Sequence, residues 1–162
     1  MLQVNVTRLH EDNRESLQLA WIAGQDGSTA VRREAAASAA LIGHLNLTHP
    51  NSIQVLGSYE ASMFDGFTES ARADFVSKLF AGALTAVIVA DNVTAPEEIR
   101  AGAKRTHTPL VATPLAAPRV IEALTRDLAK ALAEKTTRHG VFMDVLGLGV
   151  LVTGESGVGK SE

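Results

Sequence analysis

One stretch constrains the fold more than any other: Thr85-Ala86-Val87-Ile88-Val89-Ala90, a run without a charge. An apolar run this short and this continuous reads as a strand buried on both faces, the kind found inside a parallel sheet covered by helices. The residues after it agree. Thr94-Ala95-Pro96-Glu97 reads as a capping box with proline in the first turn, which predicts a helix to about Lys104. Pro109 to Ala112 predicts a further short strand. Pro118 to Lys135 then predicts the longest helix, with Val120, Ile121, Leu124, Leu128, Ala131 and Leu132 as its apolar stripe.

The same alternation runs upstream. Thr7 is placed to cap a short helix through Leu17, with Glu11 and Asp12 in its first turn. Leu17 to Ala23 reads as a strand closed by the Gly24-Gln25-Asp26-Gly27-Ser28 turn. Arg32 to Ala40 has high helix propensity without an apolar stripe, and Leu41 to Pro50 fits no simple period. Ile53 to Leu56 before Gly57 predicts a strand, and Ser58 to Phe67 a helical turn or two. Thr68 caps a predicted helix from Glu69 to Phe80, with Ala71, Phe75, Leu79 and Phe80 on one face. Alternating strands and helices joined by short links predict an α/β layered domain with a largely parallel or mixed sheet. It is expected to span residues 1–135, with Thr136-Thr137-Arg138 as a hinge and a strand pair beyond it, from His139 to Val145 and from Leu148 to Thr153.

Composition narrows the function classes. Apolar residues make up 46% of the 162 positions and charged residues 20%, enough for a packed core and against wholesale disorder. A net charge of −3 argues against a general binder of nucleic acid or anionic membrane, which would carry a basic face. There is no cysteine, hence no disulfide framework and no thiolate nucleophile or metal site. The longest near-apolar run, Leu79 to Ala90, falls well short of the roughly 20 residues of a membrane helix, and the N-terminus lacks a signal core. The expectation is a cytoplasmic protein that binds neither nucleic acid nor membrane.

Chemistry concentrates at the end of the sequence. Val150-Leu151-Val152-Thr153 breaks into Gly154-Glu155-Ser156-Gly157-Val158-Gly159-Lys160-Ser161, an apolar strand followed by G-x-x-x-x-G-K-S. The glycines allow a tight turn that aims backbone N–H groups at phosphate oxygens. Lys160 can reach the β- and γ-phosphates, and the Ser161 hydroxyl suits Mg²⁺. In such loops the serine opens a helix whose N-terminus completes the anion site. The sequence ends at Glu162, so this chain by itself is expected to be inactive and to bind Mg·ATP weakly or not at all.

The run from His139-Gly140-Val141-Phe142-Met143-Asp144-Val145 through Ser161-Glu162 closely resembles the entry into the kinase domain of HPr kinase/phosphorylase. More weakly, His44-Leu45-Asn46-Leu47-Thr48-His49-Pro50-Asn51-Ser52-Ile53-Gln54-Val55-Leu56-Gly57 resembles the N-terminal domain of the family's proteobacterial members. The resemblance implies a hexameric bacterial enzyme of phosphotransferase-system regulation. It phosphorylates a serine of the phosphocarrier HPr, or of a paralogue, with ATP and Mg²⁺, and removes that phosphate by phosphorolysis with inorganic phosphate. It also implies an N-terminal domain similar to those of the Mur ligases, followed from residue 136 to 162 by the truncated start of the kinase domain. Carried over position by position, Gly154, Glu155, Ser156, Gly157, Val158, Gly159, Lys160 and Ser161 hold the nucleotide, or phosphate or pyrophosphate in reverse. Lys160 and His139 are catalytic and Ser161 is a metal ligand; the family's base aspartate, second metal ligand and later arginine fall beyond residue 162.

Blander readings stand beside these. A non-catalytic α/β module for oligomerisation or partner binding is the alternative, and a P-loop small-molecule or carboxykinase-like enzyme is a third. His44, His49 and His107 read as surface or loop residues, and Asp144 as a structural hydrogen-bonding residue. Glu97, Glu98 and Arg100 read as a solvated helix face. Val120 and Leu124 fit either a domain core or a subunit contact.

Overall fold

The computed structural model describes residues 3–26, 29–32, 41–133, 140–145 and 148–153. Five strands form a mixed sheet: β2 (Ala20–Ala23), β4 (Ile42–His44), β5 (Ile53–Leu56), β6 (Ala86–Val89) and β7 (Leu110–Ala112), in the order β2-β7-β6-β5-β4. The last four are parallel, and β2 closes one edge antiparallel to β7. The α/β class is as the alternation implies.

Strand β6 is buried along its whole length between β5 and β7. Its side chains divide by the two-residue period of a strand. Ala86 and Ile88 face a core shared with α1 (Val6–Asn13) and α5 (Ala117–Ala131), whereas Val87 and Val89 face α2 (Ser58–Asp65), α3 (Glu69–Ala81) and α4 (Glu97–Thr106). The domain is therefore three layers deep, helices on both faces of one sheet. In α5 the i, i+4 row Val120, Leu124, Leu128 and Leu132 is fully buried, so Val120 and Leu124 are domain core and not a subunit contact. On the opposite face Phe64 is buried against the edges of Phe67 and Phe75, with the Arg72 guanidinium 5.4 Å from its ring centre.

Several boundaries differ from those read in the sequence. Helix α1 is capped by Asn5, whose Oδ1 accepts the Thr7 N–H at 2.8 Å, and it stops at Asn13. Asn and Thr cap about equally well, and the favoured cap is the one whose backbone stays extended, here Asn5 at the end of β1 (Gln3–Asn5). Strand β2 starts at Ala20 because Gln18 takes a left-handed φ of 50°. Thr68 does cap α3, but Val76 and Leu79 are the buried residues there, Phe75 and Phe80 are half-buried and Ala71 is exposed. In α4 the residue before the helix is Pro96, which has no capping side chain, so Thr94 does not cap. Arg32, the first residue of the segment of high helix propensity from Arg32 to Ala40, instead ends β3 (Ala30–Arg32), paired with β1; the rest of that segment, 33–40, and the hinge at 136–138 lie outside the described residues.

The parallel pair β4–β5 is joined by only Leu45–Ser52, where a crossover would ordinarily take a dozen residues or more. Gln54 makes the short return possible. Its buried amide donates to the Asn46 carbonyl at 2.9 Å and accepts from the Asn46 N–H at 3.2 Å and from Asn51 Nδ2 at 3.1 Å. Asn46 Oδ1 in turn accepts the N–H groups of Thr48 and His49. The segment that fitted no period is thus a strand followed by a side-chain-templated loop.

Candidate functional site

β8 (Gly140–Val145) and β9 (Leu148–Thr153) form an antiparallel pair of their own, in register from Gly140 opposite Thr153 to Val145 opposite Leu148. The register pairs the two strand ends that border the candidate site residues in sequence. Gly140 follows His139 directly, Thr153 precedes Gly154 directly, and these two border residues are partners across the ladder. His139, Gly154, Glu155, Ser156, Gly157, Val158, Gly159, Lys160 and Ser161 themselves lie outside the described residues.

A second cluster sits at the carboxyl ends of the parallel strands, the edge at which open α/β sheets build ligand crevices. No sequence motif marks it. Asp91, just past β6, accepts the Ser58 N–H at 2.8 Å and the Ser58 hydroxyl at 3.2 Å on Oδ2, and the Ala117 N–H at 2.8 Å on Oδ1. The backbone N–H of Ser58, then that of Ala117, hold the Asp91 carboxyl below its ordinary pKa; slight burial opposes them, and the Ser58 hydroxyl and His44 add to them. Beside it Glu60 accepts the Gly57 N–H at 3.0 Å through Oε2 and lies 3.5 Å from His44 Nδ1 through Oε1. Gly57 leaves room for this arrangement: a Cβ on it would come 2.5 Å from Asp91 Oδ2 and push the carboxylate aside.

The other histidines divide. His107 is exposed at the left-handed end of α4, and His49 is exposed in the β4–β5 loop. His10, on which the sequence offers no motif, is buried against Trp21 with ring centres 4.6 Å apart. Neither of its ring nitrogens has a hydrogen-bond partner among the described residues. A separate groove of about 840 Å³ runs between α1, β1 and the end of α5, lined by Arg8, Asp12, Asp127 and Lys130 among others. Its charges are mixed in sign, and none of the candidate catalytic, nucleotide or metal residues named from the sequence lines it.

Comparison with known proteins assigns both parts of the chain. The HPr Serine kinase N terminus matches residues 4–128, and the HPr Serine kinase C-terminal domain matches residues 130–162. The chain belongs to the HPr serine kinase family. It is 43% identical over 160 residues to the HPr kinase/phosphorylase of Bordetella pertussis, covering 98% of this chain and 52% of that protein. It is 42% identical over 164 residues to that of Paraburkholderia xenovorans and 41% over 164 residues to that of Burkholderia ambifaria, covering 98% of this chain and 51% of each. The chain therefore spans about half the length of the curated relatives it matches, and those relatives are enzymes by name. Among the described residues no helix is long and apolar enough to cross a membrane.

Proposed function

We propose that this chain is the N-terminal α/β domain, residues 1–135, and the P-loop entry, residues 136–162, of a bifunctional HPr kinase/phosphorylase. The observation that carries the proposal is the β8–β9 register within the matched kinase region: the strand leading into G-x-x-x-x-G-K-S ends opposite the residue after His139. The backbone of Gly154, Glu155, Ser156, Gly157, Val158 and Gly159 would hold ATP, or inorganic phosphate or pyrophosphate in the reverse direction. Lys160 neutralises charge on the transferring phosphoryl group. Ser161 would supply a hard oxygen ligand for Mg²⁺, and a bound Mg²⁺ would neutralise phosphate charge. His139 acts beside the phosphates. The acceptor is a serine of HPr or of a paralogous phosphocarrier, and the working enzyme is a cytoplasmic hexamer in which residues beyond 162 supply the catalytic base.

The test is calorimetry with Mg·ATP on the family-length protein containing this chain, with and without Lys160→Ala. The proposal expects Lys160→Ala to abolish binding and both transfer directions while the circular dichroism spectrum is unchanged. Transfer at the wild-type rate would refute the role of Lys160. Absence of nucleotide binding in the wild-type protein would favour the non-catalytic module instead.

A further inference from the structure

The Asp91 carboxylate bonds two helices that start far apart in sequence, α2 across 33 positions and α5 across 26. The first N–H groups of a helix need partners from outside it, and the helix dipole favours an anion there. Neither residue preceding these helices can serve, because Gly57 has no side chain and Ala116 only a methyl. Asp91 meets both needs at once, one oxygen for each helix. Its own backbone is fixed on both sides: Ala90 N–H donates to Leu56 O at 2.9 Å at the end of β5. The Asp91 N–H donates to Leu115 O at 2.8 Å, on the segment entering α5. Asp91 and Asn92 take left-handed φ values of 58° and 57°, a conformation Asp and Asn tolerate better than most residues. We infer that Asp91 is a charge-dependent latch, holding the first turns of α2 and α5 through one carboxylate so that both are released together when its charge is removed.

The groups facing it are few. His44, at the end of β4, adds an attractive charge when protonated; Glu60, on α2, is engaged with the Gly57 N–H and His44; and α5 presents the Ala117 backbone N–H. Because the folded-state pKa is lowered from 3.8, the latch's contribution is complete above that value and is lost as pH falls through the folded value.

Asp91→Asn keeps one acceptor oxygen and turns an NH₂ group towards the other donor. The latch expects faster amide exchange in the first turns of both α2 and α5, by about five-fold or more, with α3 and α4 unchanged. A response in one helix only, or in neither, overturns it. In the wild-type chain, an NMR titration decides the matter even if the variant does not fold. The Ser58 and Ala117 amide shifts are expected to follow one common midpoint below 3.8. Separate midpoints, or no movement of either amide, overturn the latch.

Discussion

Gln54→Leu is the substitution that most directly probes how the sheet's short parallel edge is built. Leucine keeps nearly the volume of glutamine and suits an otherwise apolar strand, so a purely hydrophobic account of β5 predicts neutrality or a small gain. The structure predicts a loss. Three hydrogen bonds disappear, and they leave the Asn46 N–H, the Asn46 carbonyl and one contact of Asn51 Nδ2 without a partner at that edge. Asn51 retains its bond to the His44 carbonyl at 2.9 Å, and Asn46 is exposed enough for water to replace part of what is lost. Each bond is worth about 1 kcal/mol, so three amount to about 3 kcal/mol, and burying apolar atoms in place of the amide returns about 1 kcal/mol. The expected net cost is about 2 kcal/mol. Urea denaturation followed by circular dichroism measures it, with the slope unchanged because the surface exposed on unfolding is the same. Amide exchange at Thr48 and His49 is expected to accelerate as well, since Asn46 no longer holds its place. A cost under about 0.5 kcal/mol with that exchange unaltered would refute the claim that Gln54 templates the return from β4 to β5.

Two further substitutions test the layers and the latch region separately. Leu128→Ala removes the fully buried centre of the α5 row and is expected to cost about 2–5 kcal/mol in the same denaturation assay; a value near zero would mean that α5 is not core. Gly57→Ala drives a methyl against Asp91 Oδ2 and is expected to cost about 1–3 kcal/mol, a cost that falls sharply when combined with Asp91→Gly. Simple additivity of that pair would place the clash elsewhere.

What the sequence made legible follows from whether the signal is local. Thr85 to Ala90 declares itself because burial on both faces leaves a continuous apolar run, Ile53 to Leu56 because Gln54 alone interrupts one, and the i, i+4 row of α5 because a helix packs one stripe. Thr7 and Asn5 are equally plausible caps for the first helix by residue type, and only backbone conformation selects Asn5. In α3 the i, i+4 spacing points to Ala71, Phe75, Leu79 and Phe80, of which Leu79 is buried, while packing against α4 buries Val76; close approach of the helices there is allowed by Gly102, whose Cβ would meet the Phe80 ring and Val76. The Asp91 cluster and the Gln54 loop leave no periodic trace at all, since their partners are backbone groups brought close only by the finished fold. The G-x-x-x-x-G-K-S pattern is visible because its glycines, lysine and serine sit at fixed spacing in one stretch of chain, and the phosphate-binding role given to it belongs to the proposal.

The most direct measurement of the central proposal is mass spectrometry of HPr after incubation with Mg·ATP and the family-length protein containing this chain. The account predicts one phosphate on a serine of HPr, removed again when inorganic phosphate replaces ATP. Unmodified HPr, in the presence of a folded protein that binds Mg·ATP, would contradict it.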